Sequence, residues 1–198
     1  MSTPSDTSTR LELVSEREPR AGIDTVVLGM LLFCMVEAML FAGLISAQTI
    51  ARSNALEWPP PGQPRLPVQA TLVNTLALLL SGPILFHAGR VFRRSRRAAL
   101  RPMALAIGLG AFFVIFQGYE WIGLLREGLT LTSSQHGSFF YLIVGMHAAH
   151  ALAAIAALVW AWRRLLDLRL TPGAFGGAAV FWYFVVGLWP ILYWRVYL

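Results

Sequence analysis

Five stretches of this chain are apolar for longer than a soluble helix requires, and short polar or proline-rich segments separate them. The first, Thr25 to Gln48, runs 24 residues with one carboxylate, Glu37, at its centre. At about 1.5 Å rise per residue such a helix is roughly 36 Å long, enough to cross a ~30 Å hydrocarbon core with some tilt. Further spans are predicted over about 68–89, 103–125, 138–162 and 173–197. Pro83 is expected to kink the second, and Pro190 lies near the far end of the fifth. The pattern predicts an all-α fold, a polytopic membrane bundle of five transmembrane helices occupying residues 23–198. Residues 1–22, rich in serine and threonine and then in mixed charge, are expected to form a disordered tail. Thr49 to Pro67 holds Pro59, Pro60, Pro61, Pro64 and Pro67, which predicts a stiff, non-helical strap along the membrane surface.

Composition agrees with a membrane protein. Only 13% of the residues are charged, against about 25% in soluble domains, and the mean hydropathy is +0.61. A net charge of +6 raises nucleic-acid binding as a possibility, but all sixteen basic residues are arginines that flank the apolar spans. Twelve of them fall in the tail, the second-to-third loop and the fourth-to-fifth loop, and four (Arg52, Arg65, Arg126, Arg195) on the other side. The positive-inside rule then places the N-terminus in the cytoplasm and the C-terminus in the periplasm. Trp58, Trp121 and Trp194 all fall toward the arginine-poor side, where indoles suit the headgroup region. No nucleic-acid partner is expected, and the first apolar stretch is too long for the core of a cleavable signal peptide. The single cysteine, Cys34, excludes an intrachain disulfide and reads as a small buried apolar residue.

The candidate chemistry is sparse. A carboxylate at the midplane costs at least ~2.5 kcal/mol on insertion scales, so Glu37 is either functional or a neutral carboxyl tying helices together. Glu120, nearer the outer end of its span, reads more simply as a hydrogen-bonded interfacial carboxylate. His147 and His150 are three residues apart and share a helix face near the midplane. They read as neutral imidazoles bonded between helices rather than as metal ligands. Depth pairs Glu37 with one of them. Gly145, Ala149, Ala153, Ala157 and Ala161 make a small-residue stripe expected to pack against a neighbouring helix, as do Gly173 and Gly177 in the fifth span. No catalytic, cofactor-binding or metal-binding residue is expected in this chain.

Four blocks, in order and at similar spacing from about residue 29 onward, carry a resemblance. VEAMLFAGL (Val36 to Leu44) is similar to an S-E-V-x-F-F-A-G run. EWPPPG (Glu57 to Gly62) with VNTLALLLSG (Val73 to Gly82) is similar to W-P-P-x-G and L-N-T-x-x-L-L-x-S-G. FQGYEW (Phe116 to Trp121) resembles L-Q-x-x-E-[YW]. GSFFYLIVGMHAAHALAA (Gly137 to Ala154) resembles G-S-x-F-[YF]-x-x-x-G-x-H-G-x-H-V. Together they resemble subunit III of haem-copper terminal oxidases of the cytochrome c oxidase type, in a short five-helix bacterial form. Two departures stand in the last helix, where Tyr183 replaces a usual histidine and Gly187 a usual aspartate. Two helices that precede the Glu37 helix in longer family members are absent, so the lipid-filled cleft they help form is not expected from this chain alone.

The resemblance implies a non-catalytic, multi-pass subunit of the bacterial inner membrane. Its partners would be the catalytic haem-copper subunit I, subunit II and further membrane subunits. Haem and copper would sit in those partners and phospholipid would be bound. It places Glu37, His147, His150 and Glu120 on family positions as buried polar residues that support proton uptake or structure. Alternatives are the equivalent partner of a quinol oxidase or nitric oxide reductase, a haem-b anchor, or a small proton-coupled transporter. The transporter reading lacks an internal inverted repeat.

Overall fold

A computed structural model describes residues 23–62, 64, 66 and 68–197. The expected tail over 1–22, Arg65 and Pro67 lie outside the described residues. The elements are α1 (Thr25–Asn54), α2 (Val68–Phe92), α3 (Leu100–Arg126), α4 (Gln135–Leu166) and α5 (Pro172–Leu192), which runs on into a π-helical turn, Tyr193–Tyr197. Among the described residues there is no strand, and five helices are long and apolar enough to cross a membrane. In lipid every backbone N–H and C=O must be satisfied within the segment, which leaves the helix as the form for each span.

The helices overrun the predicted spans. α1 continues to Asn54, so the non-helical strap begins at Ala55 rather than Thr49. The first proline of that segment is Pro59, so no proline interrupts residues 49–54. α3 begins at Leu100 and α4 at Gln135, each three residues early. Side-chain caps fix three starts: Asp24 accepts from the Val26 amide, Ser134 from Gly137 and Thr171 from Ala174, with Pro172 opening α5.

α5 is the central element and packs on α1, α4 and α2, while α2 lies along α3 and α3 along α4. Without a hydrophobic drive between helices in lipid, close contact and hydrogen bonds hold such a bundle. Trp182 and Trp189 of α5 are fully buried, and their indole N–H groups donate to Ser81 Oγ (3.0 Å) and Thr75 Oγ1 (2.8 Å) of α2. Gly110 of α3 makes room for the Trp182 ring, into which a β-carbon at that position would run. At the arginine-rich end Arg96 donates to the carbonyls of Leu168 and Leu170, each at 3.0 Å, and Phe92 stacks on Phe175.

α1 is different. It buries only Cys34, Phe41 and Gln48, one residue in every seven, so a single narrow seam meets the bundle. The Gly173 and Gly177 pair serves this seam: Gly173 lies against the Asp24 carboxylate and Gly177 against Val26. The small-residue stripe expected on α4 is not a packing face along its length, because Ala149 and Ala153 are exposed. The buried face of α4 runs instead through Ile143, His147, Ala151, Ala154, Leu158 and Leu165. These recur at i, i+3, i+4 and i+7, a period closer to 3.6 than the strict four-residue stripe, which winds off the contact.

Candidate functional site

Two clusters of polar side chains tie helices together inside the bundle. The first joins α1 to α4. His150 Nε2 lies 3.0 Å from Glu37 Oε2, and both side chains are mostly covered. His150 Nδ1 lies 2.8 Å from the Met146 carbonyl of its own helix. A carbonyl only accepts, so Nδ1 carries a proton. The Nε2 to Oε2 contact then needs one further proton, held by either atom. Glu37 and His150 thus form a pair that is neutral overall in both arrangements, which lowers the cost of keeping a carboxyl in lipid. Phe41 and Phe181 close over the imidazole edge-on, with ring centroids 5.5 Å and 6.3 Å away.

His147, although it shares the face of His150, does not reach Glu37. It is buried and stacks on Trp189 at 5.1 Å, and neither ring nitrogen has a hydrogen-bond partner among the described residues. It borders a pocket of about 210 Å³ between α3 and α4 whose lining is mostly apolar, with Phe113, Trp121, Val144 and Leu152 among its walls.

The second cluster joins α2, α3 and the end of α5. Glu120 is buried, and its Oε2 accepts from Thr71 Oγ1 at 2.9 Å and from Gln117 Nε2 at 3.2 Å. Gln117 Nε2 also donates to the Tyr197 hydroxyl at 3.0 Å, and one turn deeper Asn74 donates to the Phe113 carbonyl at 3.1 Å. Of this network the sequence singled out only Glu120. Gln117 was findable, lying three residues before Glu120 on the same helix face. Thr71 and Tyr197 come from other helices and carry no local signal.

The described residues do not suit a haem or a copper ion. No group of three histidine, cysteine, aspartate or glutamate side chains converges among them. His150 is engaged by Glu37, and His147 sits on the same helix, so the two do not oppose one another as axial ligands would. The α5 departures point away from both clusters: Tyr183 lines a surface groove, and Gly187 is exposed.

Comparison with known proteins identifies the family. The family described as Cytochrome c oxidase subunit III matches residues 16–198. The chain is 35% identical over 181 residues to a cytochrome c oxidase subunit 3 of Corynebacterium diphtheriae, covering 87% of each chain. It is 33% identical to a probable cytochrome c oxidase subunit 3 of Nocardia farcinica with the same coverage. It is also 31% identical to the cytochrome c oxidase subunit 3 of Gallus gallus, over 85% of this chain and 67% of that one. The chain belongs to the cytochrome c oxidase subunit III family and is a membrane subunit of a haem-copper oxidase.

Proposed function

We propose that this chain is a supporting subunit that packs on the catalytic haem-copper subunit, beside subunit II, and carries out no redox step of its own. The observation that carries this reading is the Glu37–His150 pair. It ties α1, which buries only three residues, to α4 with a bond that stays neutral whichever atom holds the proton. Such a pair suits a structural clamp that sustains proton supply to a neighbouring subunit. A relay would need a second proton acceptor beyond it, and among the described residues His150 bonds to Glu37 and to the Met146 carbonyl of its own helix. The arginine distribution supports a cytoplasmic N-terminus and a periplasmic C-terminus in a bacterial inner membrane.

Purification through a tag on the full chain, with an optical spectrum and oxygen-consumption assay, tests this. Haem absorbance and oxygen reduction should co-purify with larger subunits. The Glu37→Gln variant should keep the initial rate and shorten the period over which turnover is sustained. An isolated, colourless chain inactive toward oxygen would reopen the transporter reading. A Glu37→Gln complex whose initial proton uptake is abolished would make Glu37 a relay.

A further inference from the structure

A groove of about 540 Å³ opens on the bundle surface between α2 and α5, at the arginine-rich end and away from both polar clusters. Its rim is basic. Arg90 from the last turn of α2, with Arg93 and Arg96 just beyond, lines it. Arg96 is held by the Leu168 and Leu170 carbonyls, and Arg90 lies 4.7 Å over the Phe86 ring. Among the described residues none of the three pairs with a carboxylate, although Asp24 and Asp167 stand at the same end of the bundle. The floor is apolar and comes from α5: Phe175, Gly176, Ala179 and Val180, ending at Tyr183. From Phe175 to Tyr183 is eight residues, about 12 Å along the helix from the headgroup level into the hydrocarbon.

We propose that this groove binds one anionic phospholipid, its phosphate held by Arg90, Arg93 and Arg96 and an acyl chain lying along Val180 and Tyr183. Three features together select this occupant. Guanidinium groups match phosphate oxygens in fork geometry. Their charge is not neutralised within the described chain, so a zwitterionic lipid would leave it uncompensated. The apolar trough then descends from the arginines in the direction an acyl chain takes. A soluble anion would use the rim and leave the trough unfilled. Basic pockets between transmembrane helices at a cytoplasmic surface commonly take anionic headgroups. The site uses neither Glu37 nor His150, and it does not depend on helices preceding α1.

The test is photolabelling of membranes that hold the full chain in its complex. One lipid is phosphatidylglycerol with a diazirine in its acyl chain, and the other is phosphatidylcholine with the same chain. Labelled peptides are mapped by mass spectrometry. Phosphatidylglycerol should label segments 86–93 and 175–183 about tenfold more than phosphatidylcholine. The double variant R90Q/R93Q should remove most of that preference, while R94Q/R97Q, with the same loss of charge from the same loop, should keep it. On the unaltered chain, excess unlabelled phosphatidylglycerol should compete and glycerol 3-phosphate should not. Equal labelling by the two lipids would overturn the proposal, as would equal loss in both double variants. Competition by glycerol 3-phosphate would make it a site for free anions. A protein crosslink to a neighbouring subunit in place of lipid would make it an interface.

Discussion

The seam between α1 and the bundle and the seam between α2, α3 and α5 each carry a carboxyl, yet they are built in opposite ways. At α1 one hydrogen bond, His150 to Glu37, joins two helices where α1 buries only three residues. At the other seam Glu120 has partners on α2 and α3 and is linked through Gln117 to Tyr197 at the end of α5, while two tryptophans bond across to α2. Depth in the membrane and enclosure by protein are therefore separate properties. Glu37 lies deeper in its span, but Glu120 is the more completely enclosed. A central seam with redundant contacts tolerates little change. A peripheral seam with one polar bond is adjustable, which suits an element that meets lipid or another subunit.

Substitutions at four positions would break or sharpen this contrast, each read by thermal unfolding of the purified complex and by retention of the chain within it. Gly110→Leu should be the most damaging. It drives a side chain into the place of Trp182, where overpacking costs about 3 kcal/mol or more and also strains the indole bond to Ser81. Chain lost from the complex is the expected outcome, and normal assembly would show that Trp182 has somewhere else to go. Glu120→Ala comes next, at roughly 2–3 kcal/mol, because Thr71 and Gln117 lose their shared acceptor inside the bundle. Glu120→Gln should recover most of that loss, since an amide oxygen still accepts. Failure of the glutamine variant to rescue would mean that the charge, not the bond, matters. Trp189→Phe should cost about 1 kcal/mol, as it removes only the bond to Thr75 from an otherwise filled position. Glu37→Ala should cost about 0.5–1.5 kcal/mol, the range of single hydrogen bonds between membrane helices. If Glu37→Ala proved as damaging as Glu120→Ala, the two seams would not differ as their contacts suggest.

Residues at ordinary spacing along one helix were readable in advance. The five apolar runs announced five spans because each is set by local hydropathy and by length against the bilayer, neither of which needs a partner. The ends of α1 and α4 were misjudged for a related reason. Polar residues such as Arg52 and Gln135 look like loop in a hydropathy reading, while α1 continues to Asn54 and α4 starts at the Ser134 cap, both beyond the apolar run. The Glu37–histidine pairing was legible as far as depth allowed, but depth does not separate His147 from His150. That choice depends on the rotation of α4 against α1, about 100° per residue, which only packing fixes. Ala149 and Ala153 illustrate the same limit: a four-residue stripe looks like an interface, and the winding of α4 puts its middle outside while Ala161 stays buried.

The sequence by itself determined what each segment is: helical, membrane-crossing, flanked by arginine on one side, and carrying family motifs around Glu37, Glu120, His147 and His150. Tertiary structure decided which of these residues meet. Thr71, Gln117, Glu120 and Tyr197 come from three different spans and converge only because α5 lies at the centre of the bundle with α2 beside it. Hydropathy is a property of each residue in its own segment, so it is written locally. The partners of a buried polar group depend on helix rotation and neighbour choice, and those are settled by the fit of whole surfaces.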